Sequence, residues 1–328
     1  MNIGIAYTLA PSLPCARDGG PVDRYEECDS PETVHAVADA LLGLGHRPRL
    51  LGGGAEFLRA VLADPPELIF NMAEGAGTRA REAHVPAVAE MLGIPYTHSD
   101  PLTLAAALDK VIAKRLVTSH GLRSPAFAVV DHAGARVDLR FPVIAKPVAE
   151  GSSMGLSRTA RVDDAVALNA EIDRLLEDYA QPVLIEEFCP GAEFTVGVLG
   201  TGDGAAVLGV MEIVPRGQAE AEFVYSIEAK RAGPDGADFH VPPDRPGELV
   251  ARVADLALAA HRALGCRDVA RIDVRVDGDG EPAFLEANPL PGMKPGWSDL
   301  VVLAERLGRP YPALVGAIVD GACARLGL

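Results

Sequence analysis

Arg271, Asp273, Glu286 and Asn288 are the residues of this 328-residue sequence whose types and spacing speak most directly of chemistry. They lie in VARIDVRVDGDGEPAFLEANP, where Asp277-Gly278-Asp279-Gly280 signals a tight turn between two strands. With Gly278 and Asp279 as the loop, Asp277 pairs with Gly280 and Asp273 falls opposite Phe284. Alternation then turns Ile272, Val274 and Val276 to a core face with Ala283 and Leu285. Arg271, Asp273, Glu286 and Asn288 share the other face. Carboxylate and amide oxygens converging in this way suit octahedral Mg²⁺, which completes its shell with waters and substrate phosphates. Taken alone, such a face is more often simply solvated.

Two further stretches carry potential binding chemistry. In FPVIAKPVAEGSSMG, Lys146 ends an apolar strand and a loop bracketed by Gly151 and Gly155 follows. Its backbone N–H groups and the hydroxyls of Ser152 and Ser153 are suited to an anion such as a phosphate, and the loop is flexible enough to close over it. No Gly-Lys-Ser/Thr opens a helix here, so this is no Walker A motif. Gly52-Gly53-Gly54 fails GxGxxG because Phe57 holds the last glycine position, and it reads as a turn. In VLIEEFCPGAEFTV, the run Glu186-Glu187-Phe188-Cys189 can offer backbone groups to a purine edge, and Glu193 can accept from ribose hydroxyls. Each stretch alone is also an ordinary hairpin turn or a charged strand end.

The elements that must position these residues change character along the chain. Up to residue 100, strands (NIGIAYTL, PRLL, ELIFN, IPY) alternate with helical runs, one opening at Ser30-Pro31 and another at AHVPAVAEML. That pattern predicts a parallel sheet covered by helices. Helices are expected over 102–120, 163–179 and 248–264, with strands FAVV, FPVIAKP, VLIEEF, EFTVGVLG and AAVLGVMEIV between them. Residues 215–246 read as a long functional loop. At this length two or three domains are expected.

Composition restricts the partners. The 46 acidic residues against 30 basic give a net charge of -16, and only five basic residues are lysines: Lys110, Lys114, Lys146, Lys230 and Lys294. Polyanion binding along a surface is excluded; a phosphate would need local cations or metal. The five cysteines are scattered without a CxxC pair, which fits a reducing cytoplasm without a zinc site. No histidine pair has metal-ligand spacing and no GxSxG elbow occurs. The amino terminus reads as a first strand rather than a signal peptide. No apolar run approaches the ~20 residues that span a bilayer. A soluble, cytoplasmic protein without nucleic-acid or membrane partners is expected.

In order along the chain, LDK at 108–110, KPVAEGSSMG at 146–155, VLIEEF with EFTV, EAK at 228–230, and ARIDV with LEANPLPGM resemble the D-alanine–D-alanine ligase family of the ATP-grasp superfamily. The resemblance implies an α/β fold, α+β in the ATP-grasp part. Its three domains would span residues 1–100, 101–182 and 183–328, the first carrying the parallel sheet. It implies Lys110, Lys146 and Lys230 on ATP phosphates beneath a closing loop with Ser152 and Ser153. Adenine would lie against Glu186, Glu187, Phe188 and Cys189, and the ribose against Glu193. Two Mg²⁺ ions would sit on Asp273, Glu286 and Asn288, and Arg271 would hold the oxyanion of a tetrahedral intermediate. Glu26 matches the glutamate that takes the first amino acid's ammonium group, with Ser152 between that substrate and the loops. The implied reaction makes an acyl phosphate and then a dipeptide, in a protein expected to form a homodimer.

Three departures touch substrate recognition. Arg231 stands where the family has a tyrosine after EAK; a guanidinium there repels an ammonium and welcomes a carboxylate. Beyond Gly292 of the Pro-Gly-Met turn, residues 294–299 replace the family's serine and leucine with a different length, leaving Ser298 as the equivalent. The glycine-rich turn ahead of the family glutamate is not reproduced before Glu26. A ligase joining other amino acids or another carboxylate, and a non-catalytic ATP-binding module, are the alternatives.

Overall fold

The computed structural model describes residues 1–10, 21–157, 160–233 and 236–328. Cys15 and part of the turn region before Glu26 lie outside these residues. Strands β1 (Asn2–Tyr7), β2 (Arg47–Gly52) and β3 (Leu68–Met72) form the expected parallel sheet in the order β2-β1-β3. Helix α1 (Pro31–Gly43) starts as its sequence signals require. The Ser30 side chain accepts from the Thr33 N–H, Pro31 takes the first helical position, and Val34, Val37 and Leu41 are buried. Gly53 leads straight into a helix that the glycine run hid, α2 (Gly54–Ala63). The run AHVPAVAEML forms α3 (His84–Leu92), but IPY makes only an isolated bridge between Ile69 and Tyr96 rather than a strand.

The helix expected over 102–120 is two helices, α4 (Pro101–Leu108) and α5 (Lys110–Ser119). Asp109 breaks them with extended backbone, and its carboxylate accepts the Val111 and Ile112 N–H groups as the cap of α5. The break sets Lys110 in a first helical turn at the site. A second sheet, antiparallel, contains β4 (Phe127–Val130), β5 (Val143–Pro147) and β6 (Arg161–Val162). Helix α6 (Ala165–Tyr179) and β7 (Val183–Glu187) complete it, with strand order β4-β7-β5-β6. Because β7 pairs with both β4 and β5, the chain stays with this sheet beyond residue 183.

The third sheet is antiparallel with five strands: β8 (Glu193–Leu199), β9 (Ala206–Pro215), β10 (Ala237–His240), β11 (Val269–Val276) and β12 (Pro282–Asn288), ordered β10-β9-β8-β11-β12. Residues 215–246 are less irregular than expected. They hold the short helix α7 (Ile227–Arg231), capped by Ser226, and the edge strand β10. Helix α8 (Gly247–Leu264) and α5 cover one face of this sheet. Val253, Ala257, Ala260, Ala113 and Val117 pack there on Phe194, Val196, Ile272, Val274 and Phe284. The other face is left for the site. Helices α9 (Asp299–Arg306) and α10 (Tyr311–Leu326) join the two ends of the chain. Leu300, Val301, Leu314, Val315 and Ile318 share a core with Ile3, Ile5, Val34, Leu41 and Phe70.

The hairpin of β11 and β12 departs from the expected register. Asp277 pairs with Glu281 around a three-residue loop, with Gly280 in the left-handed region at φ 81°. Val274 lies opposite Phe284, and a bulge after Asp273 absorbs Leu285, so Asp273 faces Glu286 and Arg271 faces Asn288. Phe284 and Ala287 therefore belong to the core. Ala283 does not share that cluster, and Leu285 lines the cavities that also reach Lys146 and Glu193. The bulge keeps the four polar residues on one face while reversing the parity of the apolar residues beyond it.

Candidate active site

Arg271 is the hub of the polar face. Its Nη1 donates to Asp299 Oδ2 at 3.0 Å and its Nη2 to Asp273 Oδ2 at 2.9 Å, with Glu286 Oε1 at 3.8 Å. Its buried Nε has no hydrogen-bond partner among the described residues. Thr195 on β8 donates to Asp273 Oδ1 at 2.7 Å, and Asn288 Nδ2 donates to Asp273 Oδ2 at 3.3 Å. Burial raises the Asp273 carboxyl above its ordinary range, Arg271 lowers it, and Glu286 pushes it up again. Burial acts upward on Glu286 too, but Lys110, Lys146, Arg271 and Lys230 reverse this and hold it well below the usual range. Two carboxylates and an amide, facing one another and relieved of repulsion by neighbouring cations and donors, form a hard-oxygen donor set that fits Mg²⁺. Metal sites made of three or more His, Cys, Asp or Glu side chains are absent among the described residues.

The lysines converge on the same place from separate elements. Lys110 lies 3.4 Å from Glu286 Oε2 and donates to the Glu150 carbonyl. Lys146, at the end of β5, pairs with Glu186 at 2.5 Å; Glu186 also meets Lys114 at 2.7 Å. Lys230 on α7 lies 3.8 Å from Asp299 and over the Tyr225 ring. Lys110, Lys146, Lys230, Arg271, Asp273 and Glu286 all line one cleft. This cleft leads to a larger cavity of about 330 Å³ that also reaches Ser152, Gly292 and Ser298.

The glycine loop is a tight structure. Ser152 and Ser153 take left-handed backbone at φ 49° and 60°, and the Met154 N–H closes a turn on the Gly151 carbonyl. Ser153 Oγ donates to the Tyr225 carbonyl at 3.2 Å, the Gly155 N–H to Asp23 at 2.9 Å, and the Ile227 N–H to the Leu156 carbonyl at 3.1 Å. The loop is thereby tied to both the amino-terminal segment and the approach to α7. In the run expected to hold a purine, the Glu187 and Phe188 N–H groups are spent on the Ala126 and Pro142 carbonyls. Glu186 serves the lysines rather than a base edge. Leu156, Phe188, Cys189, Glu193, Tyr225 and Leu285 enclose a slot beside it. Arg275 lies 4.5 Å over the Phe188 ring and meets Glu193 at 3.2 Å.

Residues 117–320 match the family model described as D-ala D-ala ligase C-terminus. A D-alanine–D-alanine ligase of Bordetella petrii is 36% identical over 304 residues, covering 88% of this chain and 86% of the relative. The chain belongs to the D-alanine–D-alanine ligase family. It is therefore an enzyme of the ATP-dependent ligase class. A D-alanine–D-alanine ligase of Gloeobacter violaceus is 33% identical, with 89% of this chain and 96% of that one covered. The crystal structure of the Bacillus anthracis D-alanine–D-alanine ligase complexed with ATP superposes with a TM-score of 0.74 at 23% identity. The superposition covers 99% of this chain and 98% of that one, and the shared fold is ATP-grasp.

Within this family member, the recognition positions behave in a way the sequence did not reveal. Arg231 does not wait for a substrate carboxylate. Its Nη2 donates to Glu26 Oε2 at 2.5 Å and its Nε to Glu26 Oε1 at 3.2 Å, a two-point pair joining α7 to the amino-terminal segment. Ser298 accepts the Lys294 N–H at 3.0 Å, and a Cβ on Gly292 would come within 2.9 Å of Ser298 Oγ, so these two positions pack tightly together. Sequence reasoning gave no role to Asp299, Arg275, Tyr225, Thr195 or Lys114. Asp299 had a signal, as the acidic residue after Ser298 that opens α9. Thr195 had none, because its role depends on β8 lying beside β11.

Lys114 illustrates the energetics. It is fully buried, and its ammonium pairs with Glu186 and donates to Ser124 Oγ at 3.0 Å. Burial drives the Glu186 carboxyl upward, but Lys114 and Lys146 bring it down to about 2. Lys114→Met leaves a buried carboxylate with one counter-charge in place of two, and is expected to cost about 3 kcal/mol in urea unfolding. A change below about 1 kcal/mol contradicts the pairing.

The pH dependence of stability has a definite sign. Burial raises Asp29 to about 8, Glu82 to about 8 and Glu193 to about 7. Through the window above pH 4.5, the folded protein keeps protons that the unfolded chain has released, so stability falls as pH rises. Buried His98 (about 3) and His261 (about 4) act oppositely, but only below their ordinary value of 6.5. Between pH 6.5 and about 8.5 the carboxylates dominate, and the thiols of Cys189 and Cys266, pushed by burial up to about 12, act in the same direction at its upper end. The Tm of the ligand-free protein is expected to fall by about 5 °C or more across this interval, read by differential scanning calorimetry. A Tm that rises contradicts the assignment.

Proposed function

We propose that this enzyme joins two amino acids of the D-alanine type into a dipeptide, with ATP activating the carboxylate of the first. One observation carries the reading: Arg271 is fixed by Asp273 and Asp299 on the floor of a cavity that Lys110, Lys230 and Ser152 also line. A module that only binds ATP has no need of a guanidinium held where the phosphate cleft meets this cavity.

The reaction follows from these groups. The substrate carboxylate attacks the γ-phosphate, the bond to ADP breaks, and an acyl phosphate forms. The amine of the second amino acid then adds to the acyl carbon, and the tetrahedral intermediate expels phosphate. Lys110, Lys146 and Lys230 balance charge on the phosphates as it moves toward the leaving oxygen. Arg271 donates to the oxyanion of the tetrahedral intermediate. Asp273, Glu286 and Asn288 would hold Mg²⁺, with two ions expected, supplying charge neutralisation at the phosphates when bound. Cys189 N–H, the Phe188 ring and Glu193 are assigned to adenine and ribose. The loop of Ser152 and Ser153, tied down by Asp23, Tyr225 and Ile227, excludes water that would hydrolyse the acyl phosphate. Gly292 and Ser298 are assigned to the second amino acid.

The chain is read as three domains, the second boundary falling after Phe188 because β7 belongs to the middle sheet. No helix among the described residues is long and apolar enough to cross a membrane. Cys28, Cys189, Cys266 and Cys323 are free thiols, which supports a cytoplasmic setting. Family membership supports a homodimer. The test is incubation with Mg²⁺, ATP and a panel of D- and L-amino acids that includes D-alanine. Phosphate release with a dipeptide mass is expected. ATP binding without phosphate or any coupled product across the panel contradicts the reading.

A further inference from the structure

The polar face of β11 does not end at Asp273. Arg271, Asp273 and Arg275 take alternate positions of the strand and so share one face, at steps of roughly 7 Å. Arg271 and Asp273 line the cleft of the lysines, whereas Arg275 lines the neighbouring slot. Strand β8 answers in register: Thr195 stands opposite Asp273, and Glu193 opposite Arg275. Glu193 lines both the cleft and the slot, and so marks their junction. In a nucleotide, the sugar is the group that joins the phosphates to the base.

Arg275 is 5% exposed, and each nitrogen of its guanidinium has an acceptor. Its Nε donates to the Gly191 carbonyl at 3.1 Å, its Nη1 to Glu193 Oε2 at 3.2 Å, and its Nη2 to the Glu220 carbonyl at 3.1 Å. The guanidinium also lies over the Phe188 ring. Its supports are themselves fixed. A Cβ on Gly191 would meet Val276 Cβ at 2.8 Å, so this bend lies tight on β11, and the Gly191 N–H donates to the Val276 carbonyl at 2.9 Å. The Glu220 carboxylate pairs with Arg245, which meets Glu212 at 2.6 Å. For Glu193, Arg275 supplies the only hydrogen bond to the carboxylate among the described residues, and it falls on Oε2. Oε1 is left to accept from a ligand. A glutamate that is already held in place loses less side-chain freedom when a ligand binds to it.

We propose that Arg275 is a positioning residue for the nucleotide: it fixes the Glu193 carboxylate toward the ribose hydroxyls and thereby sets a preference for ribonucleotides. The proposal rests on the assignment of Glu193 to the ribose in the ligase reading. It extends the polar face of β11 from the acyl and phosphate end of the site to the nucleoside end.

The experiment compares the Kd of ATP with that of 2′,3′-dideoxyATP by calorimetry, with Mg²⁺ present and no amino acid. Wild type is expected to prefer ATP by about 30-fold, the worth of a charge-assisted pair of hydroxyl contacts. In Arg275→Met the preference is expected to fall to about threefold. The change lies in the Kd of ATP, that of the dideoxynucleotide moving by less than about twofold. A merely structural role would weaken both nucleotides together. Glu193→Gln is expected to lose the preference to the same extent, and adding Arg275→Met to it to cost nothing further. Arg275→Lys keeps the charge without the rigid fork, is expected to lose at least about threefold of the preference, and decides the matter if Arg275→Met does not fold. An equal loss for both nucleotides, additive effects in the double variant, full preference kept in Arg275→Lys, or a wild type that binds both alike overturns the proposal. Preference lost as expected, in a protein whose wild type releases no phosphate with any amino acid, supports the proposal and overturns the ligase reading alone.

Discussion

Replacing Arg271 with methionine is expected to lower kcat by about 1,000-fold or more, with the Kd for ATP changed far less. The guanidinium is aimed between Asp273 and Asp299, so its contribution is felt where negative charge develops on the acyl oxygen rather than where ATP binds. Arg271→Lys separates charge from geometry. A lysine keeps the charge but cannot hold Asp273 and Asp299 with one rigid fork, and is expected to recover only part of the rate. Single-turnover phosphate and peptide formation distinguish the steps: acyl phosphate should still form in Arg271→Met, but peptide should lag. Equal rates of peptide formation in mutant and wild type would remove Arg271 from the mechanism.

Glu286→Gln is expected to be nearly as damaging, through a different cause. Glu286 sits opposite Asp273 across β11 and β12, beside Lys110 and Arg271, and its carboxyl stays ionised at all working pH values. Losing that charge weakens a two-carboxylate metal site and unbalances two cations together. Phosphate release should fall by about 1,000-fold, and the Mg²⁺ dependence of ATP binding, read by thermal shift, should flatten. Turnover within about tenfold of wild type with unchanged Mg²⁺ dependence contradicts the metal assignment.

The polar face of the hairpin was legible because strand alternation needs only a turn to anchor it. Its register was not, because a bulge at Leu285 depends on packing of Phe284 and Ala287 against α5 and α8. The capped helices were legible at Ser30, where one side chain and one proline mark the start. The break at Asp109 was hidden, since an aspartate inside an apolar-periodic run looks tolerable until it is seen capping α5. Lysine placement told most about function. Lys110, Lys146 and Lys230 meet at one cleft as expected from their motifs, and Lys114, four residues after Lys110, turned out to hold Glu186 from behind. The pairing of Arg231 with Glu26 spans 205 positions, and no local pattern signals it.

The central claim is that a substrate carboxylate is phosphorylated before the amide bond forms. Transfer of ¹⁸O tests it most directly. D-alanine labelled with ¹⁸O in its carboxylate is turned over with unlabelled ATP and Mg²⁺, and the released phosphate is analysed by mass spectrometry. One ¹⁸O atom per phosphate, matched by one ¹⁸O lost from each dipeptide formed, is the predicted result. Phosphate that is released without substrate oxygen, its new oxygen coming from water, contradicts the account.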